Sequence, residues 1–93
     1  MVEVLYFAEF KMITGKKTER FLLQKEKNVK ELIELLIKQY PKLRNILISA
    51  DTTTLNDSIS IAINHSIKNV KNPLSLSLNE NDIVAFLLPV SGG

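Results

Sequence analysis

Apolar and polar side chains alternate from the start of the chain. Val2, Val4, Tyr6 and Ala8 fall on one face of an extended segment, and Glu3, Leu5 and Phe7 on the other, which predicts a strand. Glu9 to Thr14 has room for one helical turn, with Phe10 and Ile13 or Thr14 on one side and Gly15 to close it. After a turn at Lys16-Lys17, Thr18 to Leu23 reads as a second strand, antiparallel to the first. The period then changes. Asn28 is a good helix N-cap, and Glu31, three residues on, is placed to reach back to the cap N–H. Val29, Leu32, Ile33, Leu36 and Tyr40 recur at helical spacing, while Lys30, Glu31, Glu34 and Lys38 take the opposite side. Pro41 ends this helix, because the residue before a proline is pushed out of the helical region.

Residues 42–50 leave a short helix or a strand open, and the Thr/Asn/Asp stretch from Asp51 to Asp57 reads as a loop. From Ser58 to Asn64 the alternation is clean, with Ile59, Ile61 and Ile63 inward and Ser60 and Ala62 outward. Asn64-His65-Ser66 makes a turn into a short strand from Ile67 to Val70, placed at a sheet edge. Asn72-Pro73 breaks it. Leu74, Leu76 and Leu78 alternate with serines, Asn79 to Asp82 is a polar turn, and Ile83 to Leu88 is the last strand. The order is β-β-α-β-β-β with one dominant helix. The economical arrangement is two layers, a mixed sheet with the helix packed on one face. With the first and last strands as neighbours, this is an α+β chain with the ubiquitin-like β-grasp fold. It forms a single domain over 1–93, a five-stranded mixed sheet with one main helix.

The last strand does not fit a sheet with one wet face. Val84, Phe86 and Leu88 lie on one side and Ile83, Ala85 and Leu87 on the other, and both sets are apolar. A strand that is apolar on both faces implies that both faces are covered. No second long helix is available for this. Leu5 and Phe7 add to the same second face if the first strand is its neighbour. Either this face docks another protein, or segments 42–50 or 74–78 fold over it.

Composition narrows the function. The 93 residues are 45% hydrophobic and 24% charged, ordinary for one globular domain. A net charge of +2, with lysines scattered along the chain, gives no basic arm for nucleic acid. The absence of cysteine excludes disulfides and thiolate metal sites. His65 is the lone histidine and sits in a turn, so no metal site is expected. No apolar run approaches the ~20 residues of a membrane span. Met1 to Val4 lacks the basic start of a signal peptide, so a cytoplasmic location is expected. No glycine-rich phosphate loop and no nucleophile–base constellation are present, which argues against an enzyme acting alone.

The end of the chain is different in kind. Of three glycines, two are the final residues Gly92 and Gly93. At an average glycine usage of ~7%, that pairing arises by chance about once in 200 chains. Pro89 has no N–H to give a sheet, so pairing should stop there. Val90, Ser91, Gly92 and Gly93 then form a narrow, flexible tail rooted in a buried strand. Such a tail can enter a tight channel in another protein and present its α-carboxylate there.

The pattern Ala62-Ile63-Asn64-His65-Ser66, then Pro73-Leu74, then Asn81-Asp82 through Ile83 to Leu88 and Pro89-Val90-Ser91-Gly92-Gly93, resembles the MoaD/ThiS group of ubiquitin-like sulfur carriers. Within that group it looks like the small subunit of molybdopterin synthase. Val4-Leu5-Tyr6-Phe7-Ala8 matches the family's opening strand. One departure is Asn81-Asp82, where the family usually has Gly-Asp.

The resemblance implies that a separate ATP-dependent activating enzyme adenylates the Gly93 carboxylate. Sulfur then displaces AMP and leaves a thiocarboxylate, which donates its sulfur in molybdenum cofactor biosynthesis. It implies no bound cofactor, and a large-subunit partner in a heterotetramer of two small and two large subunits. Phe7, Ile67 and Leu87 would touch that large subunit, with Pro89, Val90 and Ser91 leading into its pocket. Alternation along the strands points to Phe7 and Leu87 independently; Ile67 rests on the resemblance. The same tail chemistry serves a ubiquitin-like modifier joined through Gly93 to lysines. A carrier for another sulfur pathway and a plain interaction domain are further readings.

Overall fold

The computed structural model describes residues 1–49 and 54–89. Five strands form one sheet: β1 (Val2–Leu5), β2 (Thr18–Phe21), β3 (Ser60–Ile63), β4 (Ser66–Lys68) and β5 (Ile83–Leu87). Their spatial order is β2-β1-β5-β3-β4. The central pair β1 and β5 is parallel, and every other neighbouring pair is antiparallel. Helices are α1 (Ala8–Thr14), α2 (Val29–Gln39) and the single turn α3 (Arg44–Leu47), with 3-10 turns at Pro41–Leu43 and Pro73–Ser75. The mixed sheet with one long helix is the architecture expected from the hydrophobic pattern. The strands are shorter than the apolar runs that predicted them.

One core fills the space between sheet and α2. Val2, Val4 and Tyr6 from the β1 side meet Val84 and Phe86 of β5, Ile61 and Ile63 of β3, and Val29, Leu32, Ile33 and Leu36 of α2. Phe10 of α1 joins them, its ring 6.2 Å from that of Phe86. Gly15 stops α1 in the left-handed region at φ 72°, where a Cβ would be strained, and its N–H bonds to the carbonyl of Lys11. Leu43 and Leu47 are buried in the same cluster, as is Leu78, with Leu74 and Leu76 packed against it. Residues 76–78 run beside the start of α2, where Val29 donates to the carbonyl of Leu76 and Leu78 to that of Lys27. Both segments that could have crossed the second sheet face therefore belong to the helix side. The predicted loop at Asp51 to Asp57 lies partly outside the described residues, since 50–53 are not described.

Two carboxylates fasten α2 at its ends. Asn28 caps the helix as expected, its Oδ1 accepting from the Glu31 N–H at 3.0 Å. Glu31 itself corrects the sequence reading. It does not return to the cap N–H or face solvent, but is 7% exposed and accepts from the backbone N–H groups of Gln24, Lys25 and Lys27 at 2.8–3.2 Å. The three donors belong to the loop before the helix. That loop must turn sharply, with Lys27 at φ 54°, and its N–H groups converge on one acceptor. Burial raises the Glu31 pKa, but these hydrogen bonds and the nearby charge of Lys25 outweigh it and hold the carboxyl below its usual value.

At the other end Glu19 of β2 accepts from Tyr6 Oη (2.9 Å), Tyr40 Oη (2.8 Å), Gln39 Nε2 (2.6 Å) and Lys16 Nζ (3.1 Å). Burial again pushes its pKa up, and the hydrogen bonds bring it below the ordinary range. Burial and the Glu19 carboxylate push the Tyr6 phenol far upward. This cluster ties the last turn of α2 to the β1–β2 edge.

Candidate functional site

The second face of the sheet carries the candidate site, and strand register builds it. Directly opposed residues on neighbouring strands point to the same side. Leu5 of β1 opposes Ala85 of β5, Ala85 opposes Ala62 of β3, and Ala62 opposes Ile67 of β4. One apolar row thus crosses four strands, three gaps of ~4.8 Å each, or ~14 Å. Leu87 opposes Ser60 in the next row. One further step along the β1–β5 register brings Phe7 alongside Leu87. The side chains alternate as strand geometry requires: Tyr6 is in the core, while Phe7 is 48% and Ile67 57% exposed. Ala85 and Ala62 are only 6% and 7% exposed yet stand outside the core cluster. They form the floor of a shallow trough walled by Leu5 and Phe7 on one side and Ile67 on the other.

Backbone geometry aims the trough. The turn Asn64-His65 has φ 52° and 69°, the left-handed pair of a two-residue hairpin. It sets Ile63 opposite Ser66 and so Ala62 opposite Ile67. Asn64 also fixes the foot of β5: its backbone N–H donates to the Ile83 carbonyl, its Oδ1 accepts from Ile83 N–H, and its Nδ2 donates to buried Asp82. Asp82 in turn accepts from Asn79 N–H. Asn81 sits at φ 70°, a conformation that asparagine tolerates better than most side-chain-bearing residues. On the far side Ala8, at φ 50°, turns the chain out of β1 into α1 immediately after Phe7.

Of the residues singled out by sequence, Phe7, Ile67 and Leu87 come together on this one face. Exposed Pro89 follows the partly buried Leu88 at the end of β5. Val90, Ser91, Gly92 and Gly93 lie outside the described residues. Alternation along single strands missed Ile67, but a legible signal existed. The two-residue turn alone places it opposite outward-facing Ala62. Among the described residues, no group of three or more His, Cys, Asp or Glu is arranged to hold a metal, and no helix is long and apolar enough to cross a membrane.

The parallel pairing of first and last strands in a five-stranded mixed sheet, with one long helix packed on one face, defines a ubiquitin-like β-grasp. The ThiS family model matches residues 4–93. The chain belongs to the ThiS family, of the ThiS/MoaD type of ubiquitin-like sulfur carriers, which are not themselves catalytic.

Its fold is similar to SAMP1, a small archaeal modifier protein, from Haloferax volcanii. There the TM-score is 0.83 and the identity 25%, over 99% of this chain and 98% of that one. It is also similar to a provisionally assigned molybdopterin converting factor, subunit 1, from Pyrococcus furiosus, with TM-score 0.73 and 26% identity over 96% and 97% of the two chains. It is similar as well to a chain of the BexX/CysO complex from Amycolatopsis orientalis, with TM-score 0.82 and 19% identity over the whole of both chains; at that identity it shows the fold.

Proposed function

We propose that this chain is the sulfur-donating small subunit of molybdopterin synthase. The observation that carries the reading is the row Leu5–Ala85–Ala62–Ile67, which no described element covers, with Phe7 and Leu87 beside it, on the face of the strand that leads through Pro89 to Gly92-Gly93. The likeness to the P. furiosus protein supports the particular pathway.

The chemistry follows from the tail. A carboxylate with a pKa near ~3.5 is anionic at neutral pH and a poor electrophile. The activating enzyme joins the Gly93 carboxylate to the α-phosphate of ATP, and pyrophosphate leaves. Hydrosulfide then attacks the acyl carbon and AMP departs, giving the thiocarboxylate. The large subunit receives the tail, and the thiocarboxylate sulfur passes to a pterin precursor. Gly92 and Gly93 present no Cβ, so the backbone can approach the reacting centre closely. Holding the last residues in one conformation on docking costs entropy, and burial of the apolar rows offsets it.

The test is intact-mass analysis after incubation with the activating enzyme, ATP and a sulfur source. A gain of one sulfur for one oxygen on the peptide containing Gly93 is expected, and deletion of Gly93 should abolish it with the fold intact. Sulfur transfer that survives this deletion overturns the reading. The likeness to SAMP1 favours a second reading, a modifier joined through Gly93 to lysines. Isopeptide-linked Gly93 on unrelated proteins, with no transfer to a pterin precursor, would select it.

A further inference from the structure

The sheet ends at β4, and among the described residues no strand pairs with its outer edge. Asn64 donates to the Ile83 carbonyl, so in the antiparallel β3–β5 ladder the hydrogen-bonded pairs are Asn64 with Ile83, Ala62 with Ala85 and Ser60 with Leu87. Ala62 therefore spends its backbone groups on β5. Across the two-residue hairpin, Ile63 with Ser66 and Ile61 with Lys68 are the bonded pairs, and Ala62 with Ile67 is the unbonded one. The N–H and C=O of Ile67 consequently point away from the sheet. All three residues of β4 are exposed. Lys68, on the helix side of the same strand, has no ion-pair partner among the described residues.

We propose that β4 accepts an extended segment of the partner protein as a sixth strand, pairing antiparallel through Ile67. Directly opposed residues share a face, which specifies the segment's chemistry. The residue opposite Ile67 continues the row Leu5–Ala85–Ala62–Ile67 and is apolar. The residue before it lies opposite Lys68 and is acidic, since opposed charges of opposite sign stabilise a strand pair and like charges oppose it. The residue after it faces Ser66 and is small and polar. Main-chain hydrogen bonds supply attachment and the alternating side chains supply selectivity. This inference rests on the docking role of the apolar face proposed above and names what the partner brings to its margin.

A direct test uses the full chain labelled with 15N and two capped peptides, Thr-Thr-Glu-Val-Thr-Thr and the same sequence with Lys for Glu. The acidic peptide should shift the Ile67 amide and slow its hydrogen exchange. The lysine peptide should bind roughly fivefold more weakly or less. Lys68→Glu, an exposed change remote from the core, should reverse that order. Equal binding of both peptides, or shifts confined to Phe7 and Leu87 with Ile67 exchange unchanged, overturns the strand addition. Concentration-dependent dimerisation through β4 without peptide assigns the edge to a second copy and also overturns it. Sulfur loading of Gly93, read by intact mass, needs no β4 edge. A chain that loads sulfur but fails the peptide test therefore sinks this inference alone.

Discussion

The two faces of the same sheet are apolar for different reasons. On the helix side, Val4, Val84, Phe86 and Ile61 are fully enclosed by α2, α1 and the turns around Leu43 and Leu47. On the other side, Leu5, Ala85, Ala62 and Ile67 form an equally continuous row that no described element covers. Apolar area alone does not distinguish them. What differs is side-chain size at the centre. The covered face carries large residues that interdigitate with the helix, and the bare face carries alanines flanked by larger walls. A core is filled by its own chain, whereas a trough leaves room for another.

Substitutions should separate the two faces sharply. Phe86→Ala removes a fully buried ring that touches Phe10 and should cost about 3–5 kcal/mol, a large part of a small domain's stability. Thermal or denaturant unfolding reads this directly. Leu87→Asp and Phe7→Asp should leave the unfolding midpoint nearly unchanged but weaken association with the proposed large-subunit partner by roughly 30-fold or more, measurable by calorimetry. Ala62→Leu fills the trough without adding charge. It should weaken docking about tenfold while leaving activation of Gly93 measurable, provided a melting curve confirms the fold.

Acid is a milder probe, aimed at the fastenings of the covered face. Glu19 and Glu31 have folded pKa values below the ordinary 4.5, so their stabilisation is present above that value. It is lost as pH falls through the lower folded values. The melting temperature should therefore decline below about pH 4.5, and Glu31→Gln should both lower the neutral-pH midpoint and flatten the decline. A flat acid profile for the unmodified chain would count against both carboxylate clusters. The smallest effect is expected for Ile67→Thr, which stays within about 0.5 kcal/mol of the original stability because its side chain is exposed on an edge strand.

Much of this was legible before the structure. Alternation located β1, β3 and β5, the helical stripe located α2, and Asn28 was the cap it was read to be. The apolar second side of the last strand was visible in Ile83, Ala85 and Leu87, and Phe7 and Leu87 followed from it. Glu31 was misjudged for a physical reason. A carboxylate three residues into a helix has two ways to serve backbone donors, and the choice depends on the path of the preceding loop. Ile67 came from the resemblance and not from alternation, because a three-residue strand is too short for alternation to establish a face; hairpin register supplies the physical reason.

Local pattern thus determined the elements, their inward faces and the chemistry available at Gly92-Gly93, since periodicity and side-chain type act over a few residues. Only the tertiary structure decided which face the described elements left uncovered. That outcome turned on where segments distant in sequence were spent. Leu43 and Leu47, together with Leu74, Leu76 and Leu78, could cover either side of the sheet, and they went to the helix side. There α2 already offered a large apolar surface and free backbone partners at Val29 and Lys27. The row from Leu5 to Ile67 likewise exists only because four strands from opposite ends of the chain lie in one register. No single stretch of sequence carries that information.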